Sequence, residues 1–152
     1  SGGKILWCGN GGSAADAQHL ATELMGGMTS HERRPIPSIA LTTDSSFLTA
    51  WSNDTDFESI FSRQIQGLGK TGDVLIGIST SGNSENVLAA VKQAKYKELS
   101  TIVFTGRSGG KINGISDVTI NIPSEDTQRI QEAHIMVGQI LCGLIEDDLL
   151  DE

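Results

Sequence analysis

The stretch that most constrains this chain is Ser79-Thr80-Ser81-Gly82-Asn83-Ser84. An apolar run over residues 73–79 leads into it, and a helix-like run over 85–97 leads out, with Val87, Leu88, Val91 and Ala94 at helical spacing. The unit therefore reads as strand, turn, helix. Such a turn presents hydroxyls and backbone N–H groups at the positive end of a helix, a setting that favours phosphate. The plainer alternative is that Ser84 only caps the next helix. Four hydroxyls in six residues exceed what one cap needs, so the phosphate reading is preferred.

A second unit of the same kind opens the chain. Residues 5–8 read as a strand, Gly9-Asn10-Gly11-Gly12-Ser13 as a turn, and 14–25 as a helix with Ala17, Leu20, Ala21 and Leu24 on one stripe. Further strands are predicted at 38–41, 101–104 and 117–122. Helices are predicted from Asp44 or Ser45 through Ala50, over 57–68, and over 126–149, with Asn53-Asp54 as a turn and a short helix or turn over 111–115. Strand and helix thus alternate about five times, and several strands are continuously apolar, as strands covered on both faces are. The fold class is α/β, a three-layer sandwich around a five-stranded, mainly parallel sheet. Its 152 residues suit one domain. Ligands of such sheets sit beyond the C-terminal strand ends, where both turns fall. Gly9-x-Gly11-x-x-Ala14 matches a dinucleotide fingerprint, but no acidic residue stands where the second strand should supply one.

The formal charge of −8 disfavours nucleic acid as a partner, so a phosphate site must work locally against an unfavourable field. No run of residues is apolar enough to span a membrane, and cytoplasm is the expected location. Cys8 and Cys142 are expected as buried free thiols. The final helix is apolar around much of its circumference, which predicts burial in a subunit interface.

His19 and Glu23 stand i, i+4 on one helix face, a spacing that holds a metal or sets a carboxylate base beside an imidazole. Gln131 and His134 are polar positions in the apolar final helix. Gln131 is assigned to a site and His134 to structure.

Three stretches then carry a resemblance: residues 9–23, 77–84, and Arg129-Ile130-Gln131-Glu132-Ala133-His134. With Asn53-Asp54 and residues 40–44 and 61–64, they resemble the phosphoheptose isomerases of the sugar-isomerase (SIS) domain family, over essentially the whole chain. The resemblance implies a flavodoxin-like SIS fold, a homotetramer, a bound zinc, and conversion of sedoheptulose 7-phosphate to glycero-manno-heptose 7-phosphate for lipopolysaccharide. It implies Ser79, Thr80, Ser81 and Ser84 for phosphate and Asn10, Gly11, Gly12, Ser13, Asn53, Asp54 and Gln131 for the sugar. Glu23 is implied as the base. His19, Glu23, Gln131 and Gln139 fall at the metal-ligand positions.

Two departures stand out. The helical segment that usually precedes the first strand in the family is expected to be lacking, and Gln139 stands where the family has a catalytic, zinc-binding histidine. An amide neither titrates near neutrality nor ligates zinc well, so zinc binding is expected to be weakened. Gln131 and Gln139 are eight residues apart, about 12 Å along a helix, and belong more naturally to different sites. The competing reading is a non-catalytic phosphosugar-binding partner protein, similar to the DnaA initiator-associating protein. Glu23 favours the enzyme, because a binding protein has no chemical use for it.

Overall fold

The computed structural model describes residues 2–150. Its elements run β1 (Ile5–Gly9), α1 (Gly12–Gly26), β2 (Ser38–Ala40), α2 (Ser45–Asp54), α3 (Ile60–Leu68), β3 (Val74–Ser79), α4 (Glu85–Tyr96), β4 (Ser100–Gly106), a 3₁₀ turn (Gly110–Ile112), β5 (Val118–Ile122) and α5 (Thr127–Leu150). Five strands form one sheet in the order β2-β1-β3-β4-β5, and every pairing is parallel. This is the flavodoxin-like order, with its topological switch between β1 and β3. No helix among the described residues is long and apolar enough to cross a membrane.

Alternate strand residues feed two cores, as the pleat requires. Leu6, Cys8, Leu75 and Val103 face Phe61, Ile65, Val87 and Val91 of α3 and α4. Trp7, Ile76, Ile78 and Phe104 face Ala17, Leu20 and Leu24 of α1 and Cys142 of α5. The predicted stripes of α1 and α4 are buried throughout. Both thiols are free and buried, and burial pushes each up to about 12. At Gly77, a Cβ would lie 2.9 Å from Val87 Cγ1, so the missing side chain lets α4 press onto β3.

Two boundaries differ from expectation. Asn53-Asp54 is the last turn of α2, not a loop turn, because α2 runs on past Ala50 to Asp54 with Trp51 packed against the core. Helix α3 begins at Ile60 rather than Phe57, because Asp56 Oδ1 accepts from the Ser59 N–H in a local turn. Asp44 caps α2 as predicted, accepting from Phe47 N at 2.9 Å.

Candidate active site

The sheet register sets Gly9 of β1 level with Ile78 of β3. Their two following turns therefore meet at the switch point. A reciprocal amide pair joins them: Asn10 Nδ2 donates to Asn86 Oδ1 at 2.8 Å, and Asn86 Nδ2 donates to Asn10 Oδ1 at 2.9 Å. Asn10 was assigned to the sugar. Its amide spends one donor and one acceptor on this pair, which braces the cleft. Asn86, 2% exposed, carried no local sequence signal, since its partner is 76 residues away.

In the hydroxyl turn, Ser84 occupies the cap position of α4 but makes no side-chain cap bond. Its hydroxyl lies 3.0 Å from Ser79 Oγ. The plain capping alternative therefore fails, and the first-turn N–H groups of α4 keep their need for an acceptor. Backbone bonds hold the turn in place. Gly106 N donates to Thr80 O, Ile112 N to Gly82 O, and Lys111 N to Asn83 Oδ1, all at 3.0 Å. Gly82 has φ +65°, and a Cβ there would stand 1.9 Å from Gly109 O. Only glycine lets these loops interlock.

Helices α1 and α5 run side by side from this cleft. Gln131 lies over the start of α1, where a Cβ on Gly12 would meet its Nε2 at 2.5 Å. Ser13 is buried at the same end. His134 is fully buried, with Nε2 2.8 Å from Thr105 O and Nδ1 without a partner among the described residues. Burial lowers its pKa, against the raising effect of the Thr105 bond. It is structural, as expected.

Farther along the same helices, His19 Nε2 lies 2.8 Å from Glu23 Oε1 and 3.5 Å from Gln139 Nε2. Asp16, one turn earlier, holds a buried Oδ2 with no hydrogen-bond partner among the described residues. Burial raises its pKa, and the His19 charge partly offsets this. Glu23 stands eleven residues beyond Gly12, about 16 Å along α1. Asn53 and Asp54 bond to each other at 2.7 Å, with no hydrogen bond to either turn.

The expected zinc set is thus not assembled in one chain. Gln131 belongs to the glycine turn and Gln139 to His19. What gathers at His19 is one imidazole, one carboxylate and one amide, and among the described residues no cluster of three His, Cys, Asp or Glu exists. That donor set does not fit zinc, which takes three or four strong N, O or S ligands.

Fold and cleft together define a parallel α/β domain with its candidate site at the topological switch point. The SIS domain model matches residues 1–106. The phosphoheptose isomerase of Aquifex aeolicus is 58% identical over 146 residues, covering 96% of this chain and 76% of that protein. The solved phosphoheptose isomerase of Neisseria gonorrhoeae superposes with a TM-score of 0.89 at 51% identity, over 95% of this chain and 77% of that one. That of Francisella tularensis gives 0.92 at 41% identity, over 96% and 78%. The chain belongs to the phosphoheptose isomerase family of SIS-domain proteins.

Proposed function

We infer that this protein interconverts sedoheptulose 7-phosphate and glycero-manno-heptose 7-phosphate, a heptose precursor of lipopolysaccharide. The observation that carries the reading is the α4 terminus left uncapped beside four hydroxyls at the switch point. In a chain of charge −8, the hydroxyls and N–H groups at that terminus supply the local attraction for phosphate. Ser79, Thr80, Ser81 and Ser84 hold the phosphate with the first N–H groups of α4, and Ser13 lies at the start of α1 beside them. Gly11, Gly12 and Gln131 line the sugar.

Glu23 is the base. It takes the proton from C1 of the ketose and returns it to C2 of the enediolate, while the hydroxyl proton of O1 passes to O2, giving the aldose. His19, held against Glu23 at 2.8 Å, orients that carboxylate. Donors such as the Gln131 amide stabilise negative charge developing on the sugar oxygens. Gln139 hydrogen-bonds but transfers no proton at neutral pH. No step is routed through zinc, because the donors present do not fit it.

The outer face of α5 points to an assembly of several copies. Met136, Ile140 and Leu144, exposed at 56%, 56% and 62%, form an apolar stripe beside Gln139 that supports such an assembly. A homotetramer is the assembly we propose.

Conversion of sedoheptulose 7-phosphate, followed by NMR, tests the reading. Aldose product should form, and unphosphorylated sedoheptulose should give none at the same concentration. Equal turnover of both sugars would refute the phosphate assignment. Tight binding with no turnover would refute the enzyme.

A further inference from the structure

The end of α1 that carries Glu23 is fastened by a buried ion pair to which the catalytic reading assigns nothing. Glu146 of α5 is 1% exposed and takes five donors from the loop after α1. These are the backbone N–H groups of Met28 and Thr29 at 2.8 Å and Ser30 at 2.9 Å, the Thr29 hydroxyl, and Arg33 Nε at 2.8 Å. The Arg33 and Glu146 side chains are 3% and 1% exposed. Hydrogen bonding, led by the Met28 N–H, holds the Glu146 carboxyl far below the usual range. The Glu146 carboxylate stays ionised at working pH.

Arg33 then reaches one group farther. Its Nη2 donates to the backbone carbonyl of Glu23 at 2.9 Å, and Nη1 donates to Arg34 O at 2.9 Å. One planar guanidinium thus joins α5, the loop and the residue that carries the base. Its three bonds diverge in fixed directions, which a lysine cannot copy. On the α1–α5 seam, Gln131 lies against the start of α1 at Gly12 and this clasp holds its end.

We propose that Arg33, locked by Glu146, is a positioning residue for the reaction: it sets the height and rotation of the last turn of α1, and through it the Glu23 carboxylate. The proposal rests on Glu23 being the base. A proton transfer between adjacent carbons needs the base placed to within about half an ångström. A misplacement of about 1 Å costs on the order of 100-fold in rate. The hydroxyl turn is built from other segments, so phosphate binding should not feel the change.

The test compares wild type with Arg33→Lys, Arg33→Gln and Glu23→Gln, each assayed as the intact oligomer well below its melting temperature. Arg33→Lys keeps a cation for Glu146 and loses the bond to the Glu23 carbonyl. The expected result is kcat lowered about 10- to 100-fold in Arg33→Lys, KM and inorganic phosphate affinity within about threefold of wild type, and a larger deuterium isotope effect on kcat for substrate labelled at the reacting carbon. Arg33→Gln should lose at least as much rate. Wild-type kcat in folded Arg33→Lys would overturn the proposal. So would a loss of rate matched by an equal loss of phosphate affinity, which is the mark of general loosening. If Arg33→Gln does not fold, Arg33→Lys alone decides. Turnover retained by Glu23→Gln would instead sink the assignment of the base, whatever Arg33 does.

Discussion

Replacing Asn86 by alanine tests how the cleft is held open. The substitution removes both bonds of the Asn10–Asn86 pair, at 2.8 and 2.9 Å, and leaves the Asn10 amide without its partner. Each such bond is worth about 0.5–1.5 kcal/mol net, so the pair contributes roughly 2 kcal/mol. For a domain of this size that lowers the melting temperature by about 4–8 °C. The functional effect follows from what the pair joins. It ties the glycine turn to the first turn of α4, where the proposed phosphate site lies, and touches neither Glu23 nor His19. Binding should weaken equally in ground and transition states, so KM should rise about 5- to 30-fold with kcat nearly unchanged. Thermal melts and steady-state kinetics read both effects. A double-mutant cycle with Asn10→Ala sharpens the test, because the second substitution should cost little once the first is made. Additive losses, or an unchanged KM, would refute the bracing role.

Gly82→Ala forces a Cβ against Gly109 O at a left-handed backbone position, so the hydroxyl turn must shift; phosphate affinity should fall by at least tenfold, seen by calorimetry with inorganic phosphate. Gln139→His puts a second imidazole beside His19, and zinc content by elemental analysis should rise toward one per chain, against little in the wild type. His134 is buried, and burial lowers its pKa below the ordinary 6.5. The stability it contributes is therefore present above pH 6.5 and lost as the pH falls through its folded value. The melting temperature should drop more steeply below that pH in wild type than in His134→Gln. Mixing Glu23→Gln with Ser79→Ala/Ser81→Ala subunits, each inactive alone, should restore part of the activity if the base acts across subunits; none should return if each chain serves its own sugar.

What could be read from the sequence was what depends on neighbours along the chain. The stripes of α1 and α4, the parallel strands and the cap at Asp44 follow from spacing a few residues wide. The separation of Gln131 from Gln139 followed from helical rise alone. Contacts between distant segments could not be read. The brace between Asn10 and Asn86 joins residues 76 apart, one in the glycine turn and one in α4. The lesser alternative, Ser84 as a plain cap, fails because tertiary placement turns its hydroxyl to Ser79. Glu146 opens the acidic run Glu146-Asp147-Asp148, so nothing nearby in the sequence marked it as the carboxylate with a buried partner. That partner, Arg33, lies 113 residues away in a loop without periodicity. The end of α2 was misplaced because Asn53-Asp54 has turn composition, while Trp51 packs against the core and the helix runs on to Asp54.

The central claim is that Glu23 moves a proton between the first two carbons of a phosphorylated heptose. The most direct measurement is deuterium uptake from heavy water into sedoheptulose 7-phosphate and its product, followed by proton NMR for wild type and Glu23→Gln. The account predicts label at C1 of the ketose and C2 of the aldose with the wild type, and none above background with Glu23→Gln at unchanged phosphate affinity. Exchange of equal rate in Glu23→Gln would contradict it.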